Sequence, residues 1–292
     1  MSNPRIPFQM SHERPRIKSI RGKKLIIQVI INVEHWQFDQ EMPRKILTAP
    51  QGLEVIPDIP NYCWAEYGMR CGMPRIMQFF QERKIPAAVS INASVINAYP
   101  SLAEEMLKSG WEFIGHGVHQ TTMQNHDNEA EFVKNAITKI QEFTGKKPLG
   151  WLSPGLRETT QTPDILKTMG IEYLFDWVLD DLPCWMQTKS GPLMALPYSL
   201  ELNDSVIYAV EKHTSKEFFR RVLDTLLIFD QELDQNPKIL TIALHPHLMG
   251  VPHRFCYLTK IIDHLQKRTD TLFLKGEDIW RWYKEAPPVS ED

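Results

Sequence analysis

The run Lys24-Leu-Ile-Ile-Gln-Val-Ile-Ile-Asn32 constrains this chain more than any other segment. It is apolar, β-branched and of strand length, and only Gln28 interrupts it. A strand that lacks apolar/polar alternation is buried on both faces, as in a parallel sheet covered by helices. From here strand-like and helix-like stretches alternate. Segment 72–83 has helical spacing and 87–91 is a short apolar strand. Ser101 is placed to cap a helix at 102–109, which Gly110 stops. A strand is expected at 111–115, an amphipathic helix at 128–144 and a strand at 149–153. The rhythm continues through 162–169, 173–176, 215–235, 239–244, 258–269 and 271–274.

This βα repetition runs for about 250 residues, the length of one barrel, without a Gly/Ser linker. It predicts an α/β fold, a single-domain distorted (β/α) barrel of about seven strands over 23–285. An N-terminal arm precedes it at 1–22, where Pro4, Pro7 and Pro15 forbid regular helix. Ile6, Phe8, Met10 and Ile17 give that arm apolar anchors, and a loose tail is expected at 286–292.

Charge and composition exclude some functions. A net charge of −3 without a basic stripe leaves no footprint for nucleic acid. Residues 1–24 lack the apolar core of a secretory signal, and nowhere do about 18 apolar residues occur together, so no membrane span is expected. Cys63, Cys71, Cys184 and Cys256 are scattered and read as reduced thiols of a cytoplasmic protein.

In a barrel the chemistry sits where strands end. The expected strand ends are Asn32-Val-Glu34-His35-Trp36, Gly115-His116-Gly-Val-His119-Gln120, Trp151-Leu-Ser153-Pro154-Gly-Leu-Arg157, Phe175-Asp176-Trp177 with Asp180-Asp181, and Leu244-His245-Pro-His247. One His or Asp after a strand is more often a cap than a catalyst. Five such ends together indicate a catalytic face.

These segments, with Trp64-Ala-Glu66-Tyr67-Gly68-x-Arg70-x-Gly72, Leu196-Pro197-Tyr198 and Gly250-x-Pro252-x-Arg254, resemble the polysaccharide-deacetylase (NodB-type) superfamily. Within it they are most similar to the branch of allantoinases and cyclic-imide hydrolases. The superfamily's deacetylases use one Asp as base, and a second Asp with a His-x-x-x-His pair to hold a divalent metal. By that resemblance the base position is Asn32, the metal carboxylate Glu34, the first histidine His116 and the second Gln120. His119, three residues after His116, could still face the same way. The resemblance therefore implies chemistry without a cofactor. The alternative is a divalent metal such as zinc on Glu34, His116 and His119.

The expected activity is hydrolysis of the C–N bond of a small cyclic amide: an imide, a hydantoin-like ring or allantoin. Glu34, in an apolar strand end beside Trp36, is expected to have its pKa raised by desolvation and to act as general base. His245 is the candidate general acid. His116 would orient water or polarise the carbonyl, and Arg157 or a backbone N–H near Ser153 would meet the oxyanion. Trp177, Trp185 and Tyr198, with Trp64 a weaker choice, are candidate pocket walls, and Asp180 and Asp181 candidate partners for ring N–H groups. Cys184 lies near this presumed pocket without an adjacent His, so a cysteine nucleophile is rejected. The rival readings are a metal-dependent N-deacetylase of acetylated amino sugars and a non-catalytic relative. The resemblance also implies a homo-oligomer, a tetramer, with Trp280-Arg-Trp282-Tyr283 either its contact surface or the last barrel helix.

Overall fold

A computed structural model describes residues 3–49 and 52–286. One mixed sheet forms the centre. Its strands are β1 (Leu25–Val33), β2 (Ala88–Ile91), β3 (Glu112–Gly115), β4 (Gly150–Trp151), β5 (Tyr173–Leu174), β6 (Cys184–Met186), β7 (Leu193–Ala195), β8 (Lys238–Leu244) and β9 (Thr271–Leu274). The order is β6-β7-β5-β4-β3-β2-β1-β8, with β9 also pairing β1. Every pair is parallel except β6–β7.

All nine residues of β1 are buried, as the sequence run requires. Leu25, Ile27, Val29, Ile31 and Val33 join the core under the outer helices. Ile26 and Ile30 point the other way, into the barrel interior with Ile114, Leu152 and Tyr173. One edge of β1 is shared between β9 and β2, and the other is filled by β8. Beyond β8 the curl is completed by an irregular segment after β7. There the Ala243 N–H donates to Leu202 O at 3.1 Å, and Thr241 Oγ1 donates to Pro197 O at 2.8 Å. The result is a curled (β/α) half-barrel rather than a fully laddered one.

Several sequence expectations need correction. The expected count of about seven strands is close to the nine observed; the additional β6 and β7 are three residues each and carry too little periodicity to be read from sequence. Ser101 does not cap its helix, which spans Pro100–Lys108 and starts on the proline. The helix expected from 258 begins at Pro252. The expected helix at 72–83 is the last part of a continuous helical run that starts at Ile59 and passes through a π-turn at Gly68–Gly72.

The N-terminal arm packs closely: Ile6 is buried, and the Arg5 guanidinium binds the Asp164 carboxylate at 2.8 Å. The Trp280–Tyr283 segment is part of the helix Gly276–Glu285. Trp280, Trp282 and Tyr283 pack on the interior core, and Trp282 Nε1 donates to Lys18 O. It is the last barrel helix. Of the expected loose tail, residues 287–292 lie outside the described residues. No helix among the described residues is long and apolar enough to cross a membrane.

Two glycines explain one of the motifs. A Cβ on Gly72 would lie 2.1 Å from Pro246 O, and a Cβ on Gly250 would lie 2.4 Å from the Cα of Gly72. The helical run from Ile59 therefore presses backbone to backbone on the loop that carries His245.

Candidate active site

Glu34 follows β1, His116 follows β3, and His245 follows β8, so parallel strands deliver all three to one end of the sheet. Their side chains converge. Glu34 Oε1 lies 3.4 Å from His245 Nε2 and 3.8 Å from His116 Nε2. Gln120 Nε2 donates to the same oxygen at 2.8 Å, and Trp36 Nε1 donates to Glu34 Oε2 at 3.1 Å. The carboxylate thus stands at the centre of four nitrogen groups, with about a tenth of its side chain exposed.

Two further contacts fix the histidines. His116 Nδ1 donates to Leu152 O at 2.6 Å, which leaves Nε2 as the free ring nitrogen, buried and without a hydrogen-bond partner. Asp204 grips His245 twice: Oδ2 accepts from its backbone N–H and Oδ1 from Nδ1, each at 2.7 Å. A carboxylate behind an imidazole in this way orients the ring and stabilises its charged form.

The electrostatics follow from these contacts. Burial alone would raise the Glu34 pKa, but His245 and His116 pull it well below its ordinary 4.5. The expected upward shift is thereby corrected, because charge and hydrogen bonds outweigh desolvation. Burial opposes the His245 imidazolium, yet Asp204 and Glu34 push its pKa up to about 9. His247, buried against Trp36 and Trp64, is driven down to about 3 by desolvation and by His245. At neutral pH the site therefore holds an ionised carboxylate beside a protonated imidazole.

The cluster opens on a cavity of about 460 Å³, lined by Asn32, Glu34, His245, Arg157 and Tyr198 among others. Asn32 Nδ2 donates to the Tyr198 hydroxyl at 3.0 Å and to Leu244 O at 3.2 Å, so neither side chain turns freely. Arg157 lies on the exposed side of this wall, without a bond to Glu34 or His245. The Ser153 N–H donates to Asp176 Oδ1 at 2.7 Å and is not free for an oxyanion.

Four expected binding residues lie elsewhere. Trp177 Nε1 donates to Glu158 Oε1 at 2.5 Å, which turns the indole away from the cavity. Trp185 is 40 % exposed on the edge strand β6. Asp180 pairs with Arg14 and Asp181 with Lys238, both at 2.9 Å, under the N-terminal arm. Trp177, Asp180 and Asp181 lie in the link from β5 to the edge strand β6, and Trp185 lies in β6 itself. Trp64 backs Trp36 and His247 and does not line the cavity. Cys184 Sγ contacts Arg14 instead of a histidine.

A divalent metal fits this donor set poorly. Gln120 stands where a third ligand would be needed and offers its N–H to Glu34. His119 is turned toward His35, with ring centres 5.6 Å apart, and burial lowers its pKa. Among the described residues no three His, Cys, Asp or Glu side chains are grouped to hold a metal ion. The set Glu34, His116 and His119 is not assembled, because the turn after His116 carries His119 away from the other two.

Sequence reasoning missed Asp204 altogether. It follows the unforeseen strand β7 at the end of an irregular stretch, where no periodicity marks a strand end.

Comparisons with known proteins agree with this architecture. The family model described as "Polysaccharide deacetylase" matches residues 62–174. A Schizosaccharomyces pombe protein named "Putative polysaccharide deacetylase" is 28 % identical over 298 residues, covering 91 % of this chain and 92 % of the relative. The crystal structure of a "probable Polysaccharide deacetylase" from Pseudomonas aeruginosa PAO1 superposes with a TM-score of 0.82 and 27 % identity, covering 92 % of this chain and 94 % of that one. Puue allantoinase superposes with a TM-score of 0.80 at 24 % identity, over 99 % of this chain and 96 % of that one, a likeness of fold. Family model, relatives and strand-end chemistry coincide: the chain is similar to the polysaccharide-deacetylase superfamily in sequence and in fold.

Proposed function

We propose that the protein hydrolyses a ring C–N bond of a small cyclic amide, using Glu34 as general base and His245 as general acid. The observation that carries this reading is the Glu34–His245–Asp204 line, with Nε2 of His245 3.4 Å from the carboxylate and Nδ1 2.7 Å from Asp204. It supplies an ionised base and a protonated acid together at neutral pH.

Water would donate one O–H to Glu34 Oε1 and the other to His116 Nε2, which among the described residues is a buried acceptor without a partner. Its oxygen attacks the ring carbonyl carbon while Glu34 takes a proton. Collapse of the tetrahedral adduct breaks the C–N bond, and His245 protonates the leaving nitrogen. As His245 gives up its charge, the influence that depresses Glu34 weakens. The proton on Glu34 can then return to His245 across the same short gap. The nitrogen of an imide or ureide leaves more readily than that of a simple amide, so the ring class matches a site with an incomplete metal set. The fold likeness to an allantoinase points to the same class.

A second reading, metal-dependent N-deacetylation, is favoured by the matching family model and by the posture of His116. With Nδ1 on a backbone carbonyl and Nε2 free, it resembles a histidine prepared for a metal. A turnover panel separates the two: succinimide, glutarimide, hydantoin, dihydrouracil and allantoin against an N-acetylglucosamine oligomer. Opening of at least one ring supports the first reading. Release of acetate from the sugar alone supports the second.

A further inference from the structure

The cavity carries two guanidinium groups that the reaction scheme leaves without work. Arg157 follows the turn Pro154–Leu156 and is exposed at the cavity wall, with no side-chain hydrogen bond or ion pair among the described residues. Arg44, from the segment between β1 and the helix Ile59–Tyr67, bonds only to Ser205 among the described residues. Elsewhere Arg5, Arg14, Arg83, Arg220, Arg221 and Arg268 each sit against a carboxylate. Arg75 and Arg254 also lack a carboxylate, but they rest on backbone carbonyls away from this cavity, whereas Arg44 and Arg157 both line it.

Glu34 is the only carboxylate that lines the cavity among the described residues, and His245 already answers its charge. Leu152, Leu156 and Val206 also line the cavity and give it apolar surface that suits the face of a ring. A planar guanidinium binds a carboxylate through paired, charge-assisted hydrogen bonds, and a partly enclosed cavity strengthens them.

We propose that the substrate bears a carboxylate on or beside its ring, held by Arg44 and Arg157 while Glu34 and His245 face the scissile bond. The orientation of the ring within the site rests on the ring-opening reading. The charge preference stands on the two arginines. Arg157 is thereby a specificity residue rather than an oxyanion donor.

The test compares hydantoin-5-acetate with hydantoin-5-acetamide, which have similar shape and differ in charge. Binding is titrated by calorimetry on Glu34→Gln, so that both rings stay intact, and turnover is followed in parallel on the unaltered protein. The carboxylate should bind at least about tenfold more tightly than the amide. That preference should shrink when Arg44→Gln or Arg157→Gln is added. Equal affinities, no binding of either ring, or a preference that survives both arginine changes would each overturn the proposal. Preferential binding with neither ring opened would leave the anion subsite standing and remove the ring-opening reading. Equal turnover and equal affinity of both rings would do the reverse.

Discussion

Asp204 holds His245 at two points, its backbone N–H and its Nδ1, each 2.7 Å from a carboxylate oxygen. The same imidazole presents Nε2 to Glu34, so one ring joins a buried carboxylate to the cavity floor. Asp204→Asn keeps the shape and removes the charge. An amide opposite Nδ1 also favours the wrong tautomer. Turnover should fall by roughly 10²–10⁴-fold. The alkaline limb of the kcat/KM profile, set by His245 at about 9, should move toward the ordinary imidazole range. Steady-state rates from pH 5 to 10 check this. An unmoved limb would mean that His245 is not the acid.

Gln120 occupies the place of a third ligand beside Glu34 and His116. Gln120→His should complete a three-ligand set with the free Nε2 of His116. Elemental analysis after zinc loading and desalting should give about one metal per chain in the variant and far less in the parent protein. Equal occupancy in both would show that the parent site is already a metal site.

Two buried carboxyls lie behind the site. Glu158 is pushed up to about 9 by burial and by Asp176, and burial raises Asp176 as well. A carboxyl whose pKa is raised on folding holds its proton more tightly in the native state. Its stabilising effect is complete below the unfolded value near 4.5 and is lost as pH rises through about 9. His245 adds to the same slope between 6.5 and about 9. Glu158→Gln removes the carboxyl's share and can still accept from Trp177 Nε1. Its melting temperature at pH 8–9 should exceed that of the parent, by about 2–4 °C for each kcal/mol recovered. The difference should vanish near pH 4.5, and thermal melts across this range report it.

Much of the fold was legible in β1, where an apolar run without alternation could belong only to a covered parallel sheet. Glu34, His116 and His245 were legible for the same reason, since each directly follows an apolar run long enough to be read as a strand. Asp204 was not, because β7 is three residues long and the chain between them is irregular. The Asp180-Asp181 pair misled, because sequence adjacency to Trp177 and Trp185 does not reveal that Arg14 and Lys238 claim both carboxylates. The pKa of Glu34 was misjudged because the neighbours that lower it come from distant strands.

Gly72 tests the backbone contact that seats the His245 loop. A Cβ there would meet Pro246 O at 2.1 Å, and Gly250 leaves no room to retreat. Gly72→Ala should destabilise the protein by about 1–3 kcal/mol, as overpacking does. It should also lower kcat more than it changes KM, since His245 moves with the loop. Denaturant melts and steady-state kinetics report the two effects separately.

The central claim is that Glu34 and His245 open a ring without a bound metal. Turnover of succinimide, hydantoin and allantoin before and after prolonged chelation, followed by addition of zinc, tests it most directly. The account predicts that at least one ring is opened, that the rate survives chelation, and that zinc does not increase it. A rate abolished by the chelator and restored by zinc would contradict it.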